Sequence, residues 1–156
     1  MGTFGQKIDS AIFEAPRYGM YNFHPSHLAE GKYRGGNPFY EMLEAGEKTT
    51  RMTVHFVDEE LDTGAVVGYS PEICIEFEEP EKWTIEKKIM ALHQQTSYFV
   101  GPMAMKLLLE VKQRQGKVES IDFESFFQEK IPPQAIAKLQ RPIPLKAREG
   151  ITVVDI

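Results

Sequence analysis

Apolar positions in this chain follow two rhythms, an alternation in the first half and a helical period in the second. Gly19 to His24 and Arg51 to Val57 predict short strands. The second reads as half-buried, with Met52, Val54 and Phe56 on one face and Thr53, His55 and Val57 on the other. Ala65 to Tyr69 and Glu72 to Phe77 predict two more, the latter with Ile73, Ile75 and Phe77 on one face. Ile8 to Glu14 predicts a short helix capped by Asp9 or Ser10 and stopped by Pro16. Pro38 to Ala45 predicts another, with proline in its first turn and Gly46 as its stop. Pro25 to Asn37 is a glycine-rich loop and Asp58 to Gly64 an acidic one. The longest element starts at Thr84, which caps alone because Lys87 stands where a capping box needs Glu or Gln. Ile85, Ile89, Leu92 and Thr96 share one helical face. Gly101-Pro102 predicts a kink or break, Met103 to Gln115 resumes the pattern, and Gly116 ends it. Phe123 to Phe127 predicts one more short helix. Pro132, Pro133, Pro142 and Pro144 are then expected to break any regular element and leave an extended tail. The expected division is a body of residues 1–116 and an extension of residues 117–156.

A length of 156 residues with 42% hydrophobic and 26% charged positions fits one soluble globular unit. No run of about 18 apolar residues offers a membrane span, and Met1 to Lys7 holds no apolar core of signal-peptide length. The expected compartment is therefore the cytoplasm. A net charge of −5 disfavours nucleic acid as a partner, because phosphate binding needs a basic face. The single cysteine, Cys74, lies in the alternation Ile73-Cys74-Ile75 and reads as a buried strand thiol.

Asn22 and His24 stand two apart on a predicted strand, so both side chains leave the same face. Pro25 holds the His24 backbone extended. Asp62 follows on the acidic loop, where Asp-Thr-Gly also reads as a plain turn. An amide, an imidazole and a carboxylate suffice to move an acyl group between nitrogens. The amide and the charged imidazole hold the oxyanion, the imidazole shuttles a proton, and the carboxylate raises its pKa. His55 reads as a hydrogen-bonded strand histidine, and His27 and His93 as surface or helix-face residues. The four histidines lack His-x-x-x-His spacing, so no metal site is expected. Asp58, Glu59 and Glu60 read as a solvated loop rather than a cation site. Arg34 either holds an anion or ties its loop down. Met103, Met105 and Leu107 to Leu109 read as core or interface.

The order Asn22-Phe23-His24-Pro25-Ser26, Tyr33-Arg34-Gly35, Thr53-Val54-His55 and Asp62-Thr63-Gly64 resembles the folate-dependent formyltransferases over about residues 4 to 115. That family includes methionyl-tRNA, glycinamide ribonucleotide and sugar N-formyltransferases. Arg34-Gly35-Gly36-Asn37-Pro38 looks most like the sugar and amine enzymes. The resemblance implies an α/β fold, the C-terminal half of a Rossmann-like domain with a mixed sheet and a long C-terminal helix. It implies Asn22, His24 and Asp62 as the catalytic trio and N10-formyltetrahydrofolate as co-substrate. It places Val57, Glu60 and Leu61 of the loop before Asp62, and Phe4, Gly5, Gln6 and Ile8 of the N-terminal turn, against the folate. The implied reaction is formyl transfer to a small-molecule amine. Two alternatives stay open: a formyltetrahydrofolate hydrolase using the same trio, and a non-catalytic remnant that binds folate weakly or only self-associates.

Three features depart from the family pattern. Ser26-His27-Leu28-Ala29 replaces Ser-Leu-Leu-Pro, and Thr50-Arg51-Met52-Thr53 replaces Thr-Gly-Val-Thr. The family's N-terminal βαβ half, which binds the acceptor's phosphate or nucleotide, has no counterpart in these residues. Without it the strand Gly19 to Phe23 is expected to present an open apolar edge. The expected remedy is a homodimer, or a partner chain that supplies the missing half.

Overall fold

In a computed structural model, which describes residues 7–28 and 31–145, short antiparallel ladders carry the chemistry-bearing segments. Strand β1 (Tyr21–His24) pairs with β3 (Thr53–Phe56), and β3 pairs with β4 (Val66–Tyr69), in the order β1-β3-β4. Two-residue strands β2 (Thr49–Thr50) and β5 (Ile73–Cys74) form a second ladder. The helices are α1 (Ser10–Phe13), α2 (Pro38–Glu44), α3 (Ile85–Arg114), α4 (Phe123–Lys130) and α5 (Pro133–Leu139). The architecture is α/β, with small sheets and helices. Every ladder between these strands is antiparallel. A parallel pairing appears as an isolated bridge between Phe77 and Ile143.

The strand around Val54 is buried on both faces rather than half-buried: Thr53 and Val54 are 0% exposed and His55 is 2%. Met52 and Val54 pack into a core with Val67, Phe99, Met103 and Phe123. The opposite face lies under the turn that follows β1. There Thr53 Oγ1 donates to the Ser26 carbonyl at 2.5 Å and Thr50 Oγ1 donates to the Pro25 carbonyl at 3.3 Å. The β3–β4 ladder slips between Val54 and His55, because Val54 opposes Gly68 and His55 opposes Val66, leaving Val67 as the extra residue of a bulge.

Helix α3 runs through Pro102 without the break that was one of the two expected outcomes there. An interior proline costs about 3 kcal/mol. Phe99 on one side of it, and Met103 and Leu107 on the other, are buried in the same core, and each buried side chain of that size contributes about 1.5–3 kcal/mol. Thr84 caps the helix as expected, accepting from the Lys87 amide at 3.4 Å. Its end comes at Gln115, in the left-handed conformation.

The proline-rich region is also more regular than expected. Pro132 and Pro133 start α5 rather than break it, because proline suits the first helical turn, where no intrahelical N–H bond is needed. Val118, Ile121, Phe123 and Phe127 are buried with the strands, and the Ile121 amide donates to the Val67 carbonyl at 2.8 Å. Gln95 fastens the other end. Its Nε2 donates to the carbonyls of Cys74 at 2.9 Å and Leu139 at 3.1 Å. Among the described residues, no helix is long and apolar enough to cross a membrane.

Candidate active site

Four segments meet at the end of β1. Strand geometry sends Asn22 and His24 to one face. The register places His55 directly opposite Asn22, where cross-strand side chains lie close enough to touch. The acidic loop brings Asp62 over them and the glycine-rich loop closes from the other side. Together Asn22, His24, Pro25, Gly35, Leu61 and Asp62 line a cleft of about 50 Å³.

Asp62 is the hub. It is 8% exposed and sits at φ 54°, a left-handed conformation that a short polar side chain tolerates. Its Oδ1 accepts from Asn22 Nδ2 at 3.1 Å, and its Oδ2 accepts from the Gly35 amide at 2.8 Å. His24 Nδ1 lies 3.4 Å from Oδ2, and His55 Nε2 lies 3.4 Å from Oδ1. Asp58 folds the loop that presents this carboxylate, accepting from the Thr63 hydroxyl at 2.7 Å and the Glu60 amide at 3.3 Å.

The proton positions follow from groups that cannot donate. His24 Nε2 is 2.7 Å from the Tyr33 carbonyl, so the proton sits on Nε2 and Nδ1 is turned to Asp62. His55 Nδ1 is 2.7 Å from the Phe56 carbonyl, so Nδ1 carries the proton and, in the neutral ring, Nε2 accepts from Asn22 Nδ2 at 3.2 Å. Both Asn22 amide protons are thus directed at Asp62 and His55.

Burial would raise the pKa of Asp62. His55 Nε2 when it carries a proton, then the Gly35 amide and the charge of His24, outweigh it and hold the carboxylate at about 2. Burial lowers the pKa of His24 below its ordinary value, against the upward pull of Asp62 and the Tyr33 carbonyl and with a further push down from His55. Asp62 acts in the expected direction but burial wins.

Acid acts on both groups with the same sign. Below His24's ordinary value of 6.5 the unfolded chain takes up a proton that the folded one resists, so stability falls as pH falls. Asp62's folded pKa is depressed. Its contribution is complete above about pH 4 and disappears as pH falls through about 2. Asp62→Asn keeps the shape and removes the charge. It is expected to cost about 2 kcal/mol at neutral pH and to lower the His24 titration midpoint further. Urea unfolding at stepped pH should show wild type and variant converging toward pH 2; parallel curves would exclude an ionised Asp62 as the hub.

The expected folate-contacting residues divide. Leu61 lines the cleft. Glu60 is exposed and pairs with Lys7 at 3.0 Å, which brings the N-terminal segment against the acidic loop. Val57 joins β1 through its amide, 2.9 Å from the Met20 carbonyl. Ile8 is half-buried, and Phe4, Gly5 and Gln6 lie outside the described residues. Arg34 is exposed. Sequence reasoning missed the place of His55 in the network, and the signal was its register opposite Asn22. It also gave no role to Tyr33 or Gly35, whose carbonyl and amide hold His24 and Asp62. Among the described residues, no group of three His, Cys, Asp or Glu side chains could hold a metal ion.

Residues 1–97 match the model of the formyl transferase family. The chain belongs to that family. Methionyl-tRNA formyltransferase of Halothermothrix orenii is 31% identical over 110 residues, covering 70% of this chain and 31% of that protein. The Thermotoga maritima enzyme of the same name is 36% identical over 90 residues, covering 55% of this chain and 28% of that protein. This formyl transferase family member thus spans about a third of the length of these curated relatives. Among solved structures, phosphoribosylglycinamide formyltransferase from Streptococcus pneumoniae shares the fold, with a TM-score of 0.52 and 23% identity over 68% of this chain and 54% of that one.

Proposed function

We propose that this chain carries the catalytic trio of a formyltransferase, moving a formyl group from N10-formyltetrahydrofolate to a small-molecule amine. The supporting observation is the convergence of two segments far apart in the sequence, strand β1 and the acidic loop, that puts Asn22, His24 and Asp62 on one cleft, with Asn22 and His24 each within 3.4 Å of the Asp62 carboxylate. The neutral amine attacks the formyl carbon, the carbon–N10 bond breaks, and the proton lost by the amine ends on N10. The cleft is large enough for the reacting formyl group. The Asn22 NH₂ is engaged by Asp62 and His55, and the His24 Nε2–H by Tyr33. Both donors must therefore turn or share toward the formyl oxygen as the oxyanion forms. His24 takes up charge at that point by holding the proton lost by the amine, while the oxyanion offsets the cost of burial, and then passes it to N10.

Titration calorimetry with 5-formyltetrahydrofolate tests the reading. Binding heat is expected in wild type and a weaker response in Leu61→Ala, which strips an apolar wall. No heat at millimolar ligand would remove the folate site.

The same reading includes a homodimer. Strand β1 is the edge of its sheet among the described residues, and Met105, Leu108 and Leu109 stand within about one turn of α3 while 58%, 68% and 55% exposed. Contiguous apolar surface of this kind is uncommon on a lone soluble chain. Light scattering at micromolar concentration is expected to give twice the chain mass, and Leu108→Glu should reduce it. A wild-type mass of one chain would overturn this proposal.

A further inference from the structure

Tyr33 touches the site through its backbone and leaves it through its side chain. Its carbonyl accepts from His24 Nε2 at 2.7 Å and from the Ser26 hydroxyl at 3.2 Å. Its ring packs against the cluster of Phe39 and Met42, and its phenol donates to Glu47 at 2.6 Å, just beyond α2. The residue sits at φ 57°. That backbone conformation crowds a side chain, and it persists only where neighbours fix it. The ring contact and the phenol–carboxylate bond are among the contacts that do so.

We propose that Tyr33 and Glu47 are positioning residues for His24: the phenol–carboxylate bond holds the strained loop, so that the Tyr33 carbonyl keeps the imidazole proton on Nε2 and turns Nδ1 to Asp62. Without that carbonyl the ring is free to take the other tautomer, with Nδ1–H donating to the carboxylate and Nε2 bare. A bare Nε2 cannot donate to an oxyanion, so the loop selects the tautomer that the chemistry uses. The purpose rests on the formyl-transfer reading, but the coupling itself does not. The groups that act on His24 are Asp62 from the acidic loop, His55 from β3, Glu41 from α2 and the Tyr33 carbonyl. An effect of Glu47 on the imidazole therefore reaches it through Tyr33.

Long-range ¹H–¹⁵N NMR of His24 across pH reads this directly, with no formyl donor or acceptor present. Wild type is expected to show the Nε2–H form alone. Tyr33→Phe keeps the packed ring and loses the bond; Glu47→Ala removes an exposed partner. Each is expected to introduce the Nδ1–H tautomer and to lower the His24 midpoint, through the loss of a hydrogen bond to the charged form. The double variant should match either single one, since both delete the same bond. Glu47→Gln retains an acceptor and should restore the wild-type pattern. If Tyr33→Phe and Glu47→Ala lower the unfolding midpoint while His24 keeps its tautomer and titration, the bond is merely structural and the proposal is wrong.

Discussion

Asn22→Ala is expected to slow formyl release from N10-formyltetrahydrofolate to an amine roughly 100-fold or more, the loss that follows removal of one oxyanion donor, about 3 kcal/mol. The expectation depends on more than the donor. The Asn22 NH₂ also bridges Asp62 Oδ1 and His55 Nε2, at 3.1 and 3.2 Å. Deleting it leaves the Asp62 carboxylate and His55 Nε2 each short of a donor. The rate measurement should therefore be paired with an NMR titration of His24. A slow variant with an unchanged His24 midpoint places the loss in the oxyanion contact. A slow variant with a shifted midpoint places part of it in the Asp62 network. An unchanged rate across a panel of amine acceptors would remove Asn22 from the mechanism.

The second large effect is on stability. Gly64→Ala is expected to cost about 3 kcal/mol or more, at the upper end for an overpacked site. A Cβ at Gly64 would lie 1.9 Å from the Phe56 carbonyl oxygen. That atom is backbone and has no rotamer to escape into. It also accepts the His55 Nδ1–H at 2.7 Å, so the strain passes directly to a residue that touches Asp62. Gly101→Ala supplies the contrast. Nothing lies within 4 Å of a Cβ there, the site is inside α3, and alanine should stabilise by about 0.5–1 kcal/mol. Urea unfolding of the two variants decides the matter. Equal midpoints would mean that the acidic loop yields around Gly64 at little cost.

Gly64 also shows how a sequence signal and its physical cause can be separate. Asp-Thr-Gly is legible as a motif, and its aspartate as a candidate, from the chain alone. The reason for the glycine is the closeness of the strand beneath it, which no local pattern states. Pro102 is the converse. The local rule predicted a kink or a break, and the burial of Phe99, Met103 and Leu107 in one core kept α3 continuous.

What the sequence determined by itself was local. Alternation put Asn22 and His24 on one face, because strand side chains repeat every two residues. Thr84 and Pro38 started helices, because a side-chain oxygen or a missing N–H suits a first turn. Tertiary structure decided whatever depends on residues brought together from afar. It set the register that placed His55 opposite Asn22, the left-handed loop that set Tyr33 against His24, and the balance of charge on the imidazole. That balance could not be read along the chain. Asp62 raises the pKa of His24 over a few ångströms, whereas the burial that lowers it comes from every segment packed around the ring, and burial is the larger of the two.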